Sequence, residues 1–462
     1  MPLRRRVAEE LRGSELDVNP LYAGIGEATI PRFELSGGEL PPATAAQIVR
    51  DELMLDGNAR LNLATFVSTW MEPEAVRLMA SCFDKNMVDR DEYPQTAELE
   101  RRCVNILATL WNAQADEQPI GTSTTGSSEA AMLGGLALKR RWESRRRASG
   151  LGTERPNLVM GVNVQVCWEK FCRYFDVEPR LVPIEAGRHH LTAGAALPHC
   201  DDHTIGVVGI LGSTFDGSYE PIADLAAALD RLHAGGGPDI PIHVDAASGG
   251  FVAPFLDPDL QWDFRLPRVA SINASGHKYG LVYPGVGWTV WRDDAALPAE
   301  LVFSVSYLGG SQSTFSLTFS RPGAPVIAQY FNFLRLGRDG YRHVQAATRD
   351  VARRLAAGVG ALGPFELISE ARQLPVFAFT LREDQTRYSV FDVSRALRER
   401  GWLVPAYPFP PDLEHLDVLR IVVRNGFSRD LADLLLDDLR ESVTELERQR
   451  EPFSRPVAGF HH

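Results

Sequence analysis

The sequence predicts an α/β protein with a large, mainly parallel sheet and a smaller C-terminal α+β domain, and three observations carry that expectation. Between about residues 100 and 295, short apolar strand candidates alternate with helix-length stretches, the pattern of a parallel sheet covered on both faces. Beyond about residue 340 the order changes to helix, strand, helix, strand, helix. The composition, 44% hydrophobic and 23% charged over 462 residues, is that of a globular chain long enough for two or three structural units.

Taken in order, residues 1–60 read as an N-terminal arm in which Leu3, Val7 and Leu11 mark one face of a short helix, followed by a Pro/Gly-rich passage from Pro20 to Pro42. So short a helix is not stable alone, so its apolar face is expected to pack on the body or on a partner chain. Helical spacing covers 97–112 and 127–147, strand candidates lie at 157–162, 204–211, 240–245, 269–274 and 286–291, and helices are expected over 164–175 and 221–234. The C-terminal part predicts helices at 341–361, 390–400 and 429–448, with strands at 375–381 and 417–423. Leu431, Leu435, Leu439, Val443 and Leu446 form the apolar stripe of the last helix. The expected divisions are an arm at 1–60, a large domain at 61–335, a small domain at 336–450 and a tail at 451–462.

The charge balance narrows the partners. A net charge of −12 and a pI near 5.5 repel phosphate backbones, and no stretch offers the roughly 18 apolar residues of a membrane helix, so neither nucleic acid nor membrane spanning is expected. The basic cluster from Lys139 to Arg147 closes a helix, where cations favour the negative end of the dipole. No apolar stretch follows Arg4 to Arg6 as a secretory signal would require. Five cysteines, an odd number without metal-type spacing, fit a reduced cytoplasmic setting. Cys167 and Cys172 sit beside Trp168 and Phe171 and read as buried hydrophobes.

Three features carry chemistry. The hydroxyl-rich run Thr122 to Ser128 opens directly into a helical pattern, so free N–H groups and hydroxyls gather at the positive end of a helix dipole. Simple N-capping explains that segment equally well when it is taken alone. Next, the strand Ile240 to Val244 ends in Asp245 and then Ala246 to Gly250, placing a carboxylate where a parallel sheet holds its ligand; a capping role is the alternative. Finally, of the 48 basic residues only four are lysines, and Lys278 alone follows an apolar strand and a Gly-His step. A partly desolvated lysine has a lowered pKa and can form a Schiff base with a carbonyl. A phosphate cradle, a strand-end aspartate and a strand-end lysine, in that order, match pyridoxal 5′-phosphate.

GSSEA at 126–130, HVDAASGGF at 243–251 and SGHKYG at 275–280 resemble the group II pyridoxal-phosphate decarboxylases. Within them, LDGNARLNLATF at 55–66, DKNMVDRDEYP at 84–94, SYLGG at 306–310 and FSRP at 319–322 are similar to the glutamate-specific branch. The resemblance spans about residues 45–450 and implies the pyridoxal-phosphate-dependent transferase fold type I and decarboxylation of L-glutamate to 4-aminobutanoate. It implies that Lys278 holds the cofactor's aldehyde carbon and that Asp245 pairs with the ring nitrogen. Ser127, Ser128 and His277 would meet the phosphate, Gln165 and Ala247 would cover the ring faces, and Thr214 would bond near the ring substituents. Ser320 would reach a phosphate, in the neighbouring subunit if sites are shared. Thr65, Phe66, Asn86 and Asp89 would cradle the substrate's distal carboxylate, and Arg424 would bind its α-carboxylate.

The same resemblance implies a homo-oligomer of at least two subunits, with a hexamer as the larger alternative. Asp89 beside a substrate carboxylate repels it unless a proton is shared, which predicts acid-favoured activity. His461 in the tail is the candidate for a histidine that blocks the site at higher pH. Ser304, Ser306 and Met87 depart from the family pattern in segments near the substrate. The rival expectations are a decarboxylase of the same group acting on another amino acid, and a non-catalytic protein that binds the cofactor.

Overall fold

The computed structural model describes residues 31–448 apart from 36, 89–90, 115–118, 306–311 and 386. The chain divides into one unit up to Asn58 and a second from Ala59 onward. In the first, the helix Pro42–Leu53 starts with proline, whose absent N–H would have no partner in a first turn, and none of its residues is buried. The amphipathic stretch at Leu3, Val7 and Leu11, together with Asp89 and His461, lies outside the described residues.

The second unit is built on a seven-stranded sheet of β1 (Ile120–Thr124), β2 (Asn157–Gly161), β3 (Glu178–Val182), β4 (Thr204–Ile210), β5 (Ile242–Asp245), β6 (Val269–Ala274) and β7 (Gly287–Trp291). Their order is β1-β7-β6-β5-β4-β2-β3; β3, β2, β4, β5 and β6 run parallel, and β7 opposes both β6 and β1. Strands β2, β4, β5, β6 and β7 are buried along their whole length, which is why their sequences read as continuous apolar runs. Two strands of this sheet have no counterpart among the apolar runs of the sequence. In β1 the buried residues are Thr122, Ser123 and Thr124, made tolerable because the Glu100 carboxylate accepts from the Ser123 amide at 2.8 Å and its hydroxyl at 2.5 Å. Edge strand β3 buries only Val182, so it lacks an apolar pattern.

The helix Ser127–Ala148 packs on β7, β6 and β4. Its Gly134 lies against the β5 side chain His243, where an added Cβ would stand 2.3 Å from Cε1. The helices Val166–Tyr174 and Ile222–Ala234 fall within the windows read from the sequence. Among the described residues no helix is long and apolar enough to cross a membrane.

Beyond the large sheet, β8 (Phe303–Val305) pairs with β9 (Gln312–Thr314). A four-stranded antiparallel sheet follows, from β10 (Phe365–Leu367), β11 (Val376–Leu381), β12 (Ala406–Pro408) and β13 (Asp417–Val422), in the order β10-β11-β13-β12. The helix Val390–Glu399, opened by a Ser389–Asp392 capping box, and the helix Arg429–Arg448 enclose its core with Leu355, Phe377, Leu419 and Leu435. The helix expected from 341 is the second part of a longer one, Ala324–Gly360, broken at Gly337 (φ 55°, ψ −168°). Gly337 and Gly340 interrupt the periodicity there, so sequence pattern alone separates the halves. Residues Asn62 and Leu63 run beside this smaller sheet, the Leu63 amide donating to Leu403 and its carbonyl accepting from Val422.

Gly134→Ala should lower the thermal midpoint. Alanine gains about 1 kcal/mol of helix propensity, but overpacking against His243 costs about 1–3 kcal/mol. Thermal unfolding followed by circular dichroism checks this, and an unchanged midpoint would mean the helix shifts freely on the sheet.

Candidate active site

The carboxyl ends of β2, β4, β5 and β6 and the start of the Ser127–Ala148 helix open onto one pocket, where a parallel sheet binds its ligands. It is lined by Ser127 and Ser128 from the helix, Gln165 after β2, Thr214 after β4, Asp245 and Ala247 after β5, and His277 and Lys278 after β6. No side chain caps that helix, so its first-turn N–H groups remain available to an anion. The three sequence features therefore meet in one place.

Lys278 enters on a tight turn. An added Cβ at Gly276 would stand 2.4 Å from Gln329 Oε1, and one at Gly280 would stand 2.4 Å from the Gly276 carbonyl, so both positions need glycine. The Lys278 ammonium donates to Ser248 Oγ at 3.3 Å and lies 5.3 Å from the Phe66 ring centre. Desolvation lowers its pKa, the Asp245 charge opposes that shift, and the Arg420 charge adds to it. Burial, then the neighbouring Lys278 charge, lowers His277 to about 4, leaving a neutral imidazole near pH 7. Its Nδ1 accepts from the Gly285 amide at 3.4 Å.

Asp245 is 6% exposed and receives three hydrogen bonds. Trp168 Nε1 donates to Oδ2 at 2.8 Å, while Asn273 Nδ2 and the Ala247 amide each donate to Oδ1 at 3.1 Å. Such donors stabilise the ionised carboxylate. Cys167 also lines the pocket, but burial raises its pKa and keeps the thiol protonated. Asn163 Oδ1 and Ser275 Oγ, in the pocket wall, are buried without a hydrogen-bond partner. Free amides at a helix start, hydroxyls, a buried carboxylate, a desolvated amine and unpaired polar atoms suit a phosphorylated pyridine aldehyde.

The other candidate residues lie elsewhere. Phe66 borders the lysine, and the Thr65 hydroxyl accepts from the Val67 amide at 3.1 Å. Asn86 and Ser320 lie side by side, with Asn86 Nδ2 donating to Ser320 Oγ at 3.2 Å, and neither lines this pocket. Arg424 does not line it either. Its guanidinium donates to the carbonyls of Ala59, Asn62 and Val67 and to Thr69 Oγ1, so it fastens residues 59–69. Arg420, unremarked in the sequence because it lies inside β13, is near enough for its charge to lower the Lys278 pKa. It sits 5.0 Å from the Phe66 ring centre and donates to the carbonyls of Thr214 and Ala64, and its Nε has no hydrogen-bond partner. Asn163, Trp168, Ser248, Asn273 and Ser275 were also missed, since isolated polar residues in apolar strands and loops carry no spacing signal.

Residues 37–382 match the model of the pyridoxal-dependent decarboxylase conserved domain. The chain belongs to this family. It is 53% identical to a glutamate decarboxylase of Aliivibrio fischeri over 90% of each chain, and 50% identical to one of Solanum lycopersicum over 95% of this chain and 88% of the relative. A solved glutamate decarboxylase of Lactobacillus brevis superposes with a TM-score of 0.90 at 47% identity, covering 94% of this chain and all of that one. The fold is the type I fold of pyridoxal-phosphate enzymes, and the family's cofactor is pyridoxal 5′-phosphate.

Unfolded histidine takes up a proton near pH 6.5, whereas folded His277 does so only near 4, so protonation in that window favours the unfolded chain. Cofactor-free protein should lose up to about 3 kcal/mol as pH falls from 6.5 to 4, a component His277→Gln should remove. Urea melts of both chains across that range check it; parallel curves would disprove it.

Proposed function

We propose that this enzyme decarboxylates L-glutamate to 4-aminobutanoate and carbon dioxide, consuming one proton. One observation carries the reading: a desolvated lysine that feels the charge of a buried aspartate shares its pocket with an uncapped helix start, in a chain about half identical to glutamate decarboxylases. Bound pyridoxal 5′-phosphate supplies the electron sink that makes loss of the carboxylate feasible.

The chain's own residues bind and orient. Lys278 would offer a desolvated amine to the cofactor's aldehyde carbon, and Asp245 would pair with the ring nitrogen. The helix start with Ser127 and Ser128 would hold the phosphate, and neutral His277 would add a hydrogen bond to it. Gln165 and Ala247 would flank the ring, and Thr214 would bond at its edge. Phe66 excludes water from the amine. The scissile bond must stand perpendicular to the ring, so the substrate needs a grip at each end. Arg420 is the proposed partner of the α-carboxylate, supported by its place beside Phe66 and Thr214 and by the reach of its charge to Lys278. Arg424, with both terminal nitrogens committed to residues 59–69, holds the segment carrying Thr65 and Phe66.

Asn86, Asp89 and Ser320 are proposed to complete the site of a neighbouring subunit. Half-buried Asn86 and exposed Ser320 lie near exposed Phe83, Leu317 and Phe319 in sequence, which supports this, because a partner would cover that apolar surface. A cytoplasmic homo-oligomer with acid-favoured activity, limited at higher pH by His461, belongs to the same proposal.

Purified enzyme should be yellow and release carbon dioxide from glutamate in preference to aspartate or aromatic amino acids; Lys278→Ala should be colourless and inert. Arg420→Lys should raise KM for glutamate at least tenfold with little change in thermal midpoint. Arg424→Lys should chiefly lower the midpoint, and the reverse pattern would exchange the two roles. Deleting residues 459–462 should extend activity to higher pH, and an unshifted pH–rate curve would remove His461 from the scheme.

A further inference from the structure

From Asp245 and Ser127 in the pocket wall, a directed hydrogen-bond chain of five side chains runs back through Asn273 and His243 to Ser271. Asn273 on β6 is fully buried and uses every polar atom: Nδ2 donates to Asp245 Oδ1 at 3.1 Å and to Ser127 Oγ at 2.7 Å, while Oδ1 lies 2.7 Å from His243 Nε2. His243, one strand over on β5, also meets Ser271 Oγ at 2.7 Å through Nδ1. The proton positions follow from chemistry. An ionised carboxylate only accepts, so the amide must turn its NH₂ group to Asp245. Its oxygen then faces His243, which must donate from Nε2, leaving Nδ1 to accept from the Ser271 hydroxyl.

The imidazole cannot turn away. Gly134 closes one side, the Trp168 ring lies edge-on with centres 5.1 Å apart, and the same Trp168 donates to the other oxygen of Asp245. Burial lowers the His243 pKa, consistent with the neutral ring this chain requires.

We propose that Asn273, locked in orientation by His243, is a positioning residue that ties the ring-nitrogen partner Asp245 to the phosphate-site hydroxyl of Ser127. It acts at both ends of the cofactor at once. Toward Asp245 it is one of three donors that fix the carboxylate oxygens, so that their charge would face a proton on the ring nitrogen. Toward Ser127 it occupies the oxygen's lone pair and frees the hydroxyl hydrogen to point at the phosphate. If the amide flipped, its oxygen would face both the carboxylate and the serine, and both effects would reverse. His243 opposes the flip together with the Asp245 carboxylate, because a flipped NH₂ would meet its Nε2–H and force the imidazole into its other tautomer.

The inference rests on the roles proposed for Asp245 and Ser127, and the test separates the two. The holoenzyme is loaded with cofactor labelled with ¹⁵N in the ring, the nitrogen resonance is recorded at fixed pH, and cofactor affinity is titrated by absorbance. Asn273→Ala should move the resonance toward unprotonated pyridine and weaken cofactor binding about tenfold or more. His243→Leu, which frees the amide to flip, should move it the same way, and His243→Gln, which can still donate to Asn273, should restore it. If Asn273→Ala does not fold, the two His243 variants decide alone. Wild-type resonance and affinity in Asn273→Ala, or identical resonances in His243→Leu and His243→Gln, would overturn the proposal. Asp245→Asn is the control: if it leaves the resonance unmoved, the assignment of Asp245 fails rather than the linkage behind it.

Discussion

The buried carboxylate of Asp245 is the constraint on which the rest of the site depends. Removing a carboxylate from water is tolerable only with hydrogen-bond donors and an opposing charge nearby. Trp168, Asn273 and the Ala247 amide supply the donors, and Lys278 feels the carboxylate's charge directly. The same arrangement makes the lysine usable. Burial depresses its pKa while Asp245 limits the fall, so an amine is held ready without a free buried charge.

The sheet makes this economical. Parallel strands deliver their carboxyl ends to one edge, so Gln165, Thr214, Asp245 and Lys278 arrive together although they are far apart in sequence. The antiparallel strand β7 brings the chain back past the helix start, where Gly287 lies so close that a Cβ would stand 2.5 Å from the Gly126 carbonyl carbon. An overall charge of −12 therefore coexists with an anion site, because local amides and hydroxyls, rather than net charge, create the attraction.

Two arginines four residues apart show how burial divides labour. Arg420 lies within β13 and Arg424 just after it, and both are largely buried. Arg424 donates from both terminal nitrogens to main-chain oxygens of residues 59–67 and to Thr69, which fastens that segment. Arg420 also donates to main-chain carbonyls, of Thr214 and Ala64, but lies beside Phe66, close enough for its charge to reach Lys278. Either guanidinium suits a carboxylate chemically; only their surroundings distinguish them.

What could be read from sequence follows from locality. Buried strands β2, β4, β5, β6 and β7 declare themselves by unbroken apolar runs, and the phosphate, ring-nitrogen and lysine residues lie in short segments whose chemistry is contained in a few neighbours. Strand β1 hid behind hydroxyls that are buried only because Glu100 answers them, and the long helix hid behind the glycines that break it. The fold class, the cofactor chemistry and the choice of Lys278, Asp245, Ser127 and Ser128 as candidates were legible in the sequence, since each follows from local pattern. That these residues share one pocket, that Arg420 lies beside Phe66 while Arg424 fastens residues 59–69, and that His243 and Asn273 stand behind Asp245 came from the fold. Those distinctions depend on which atoms meet across strands and loops distant in sequence, and one-dimensional spacing does not carry that information.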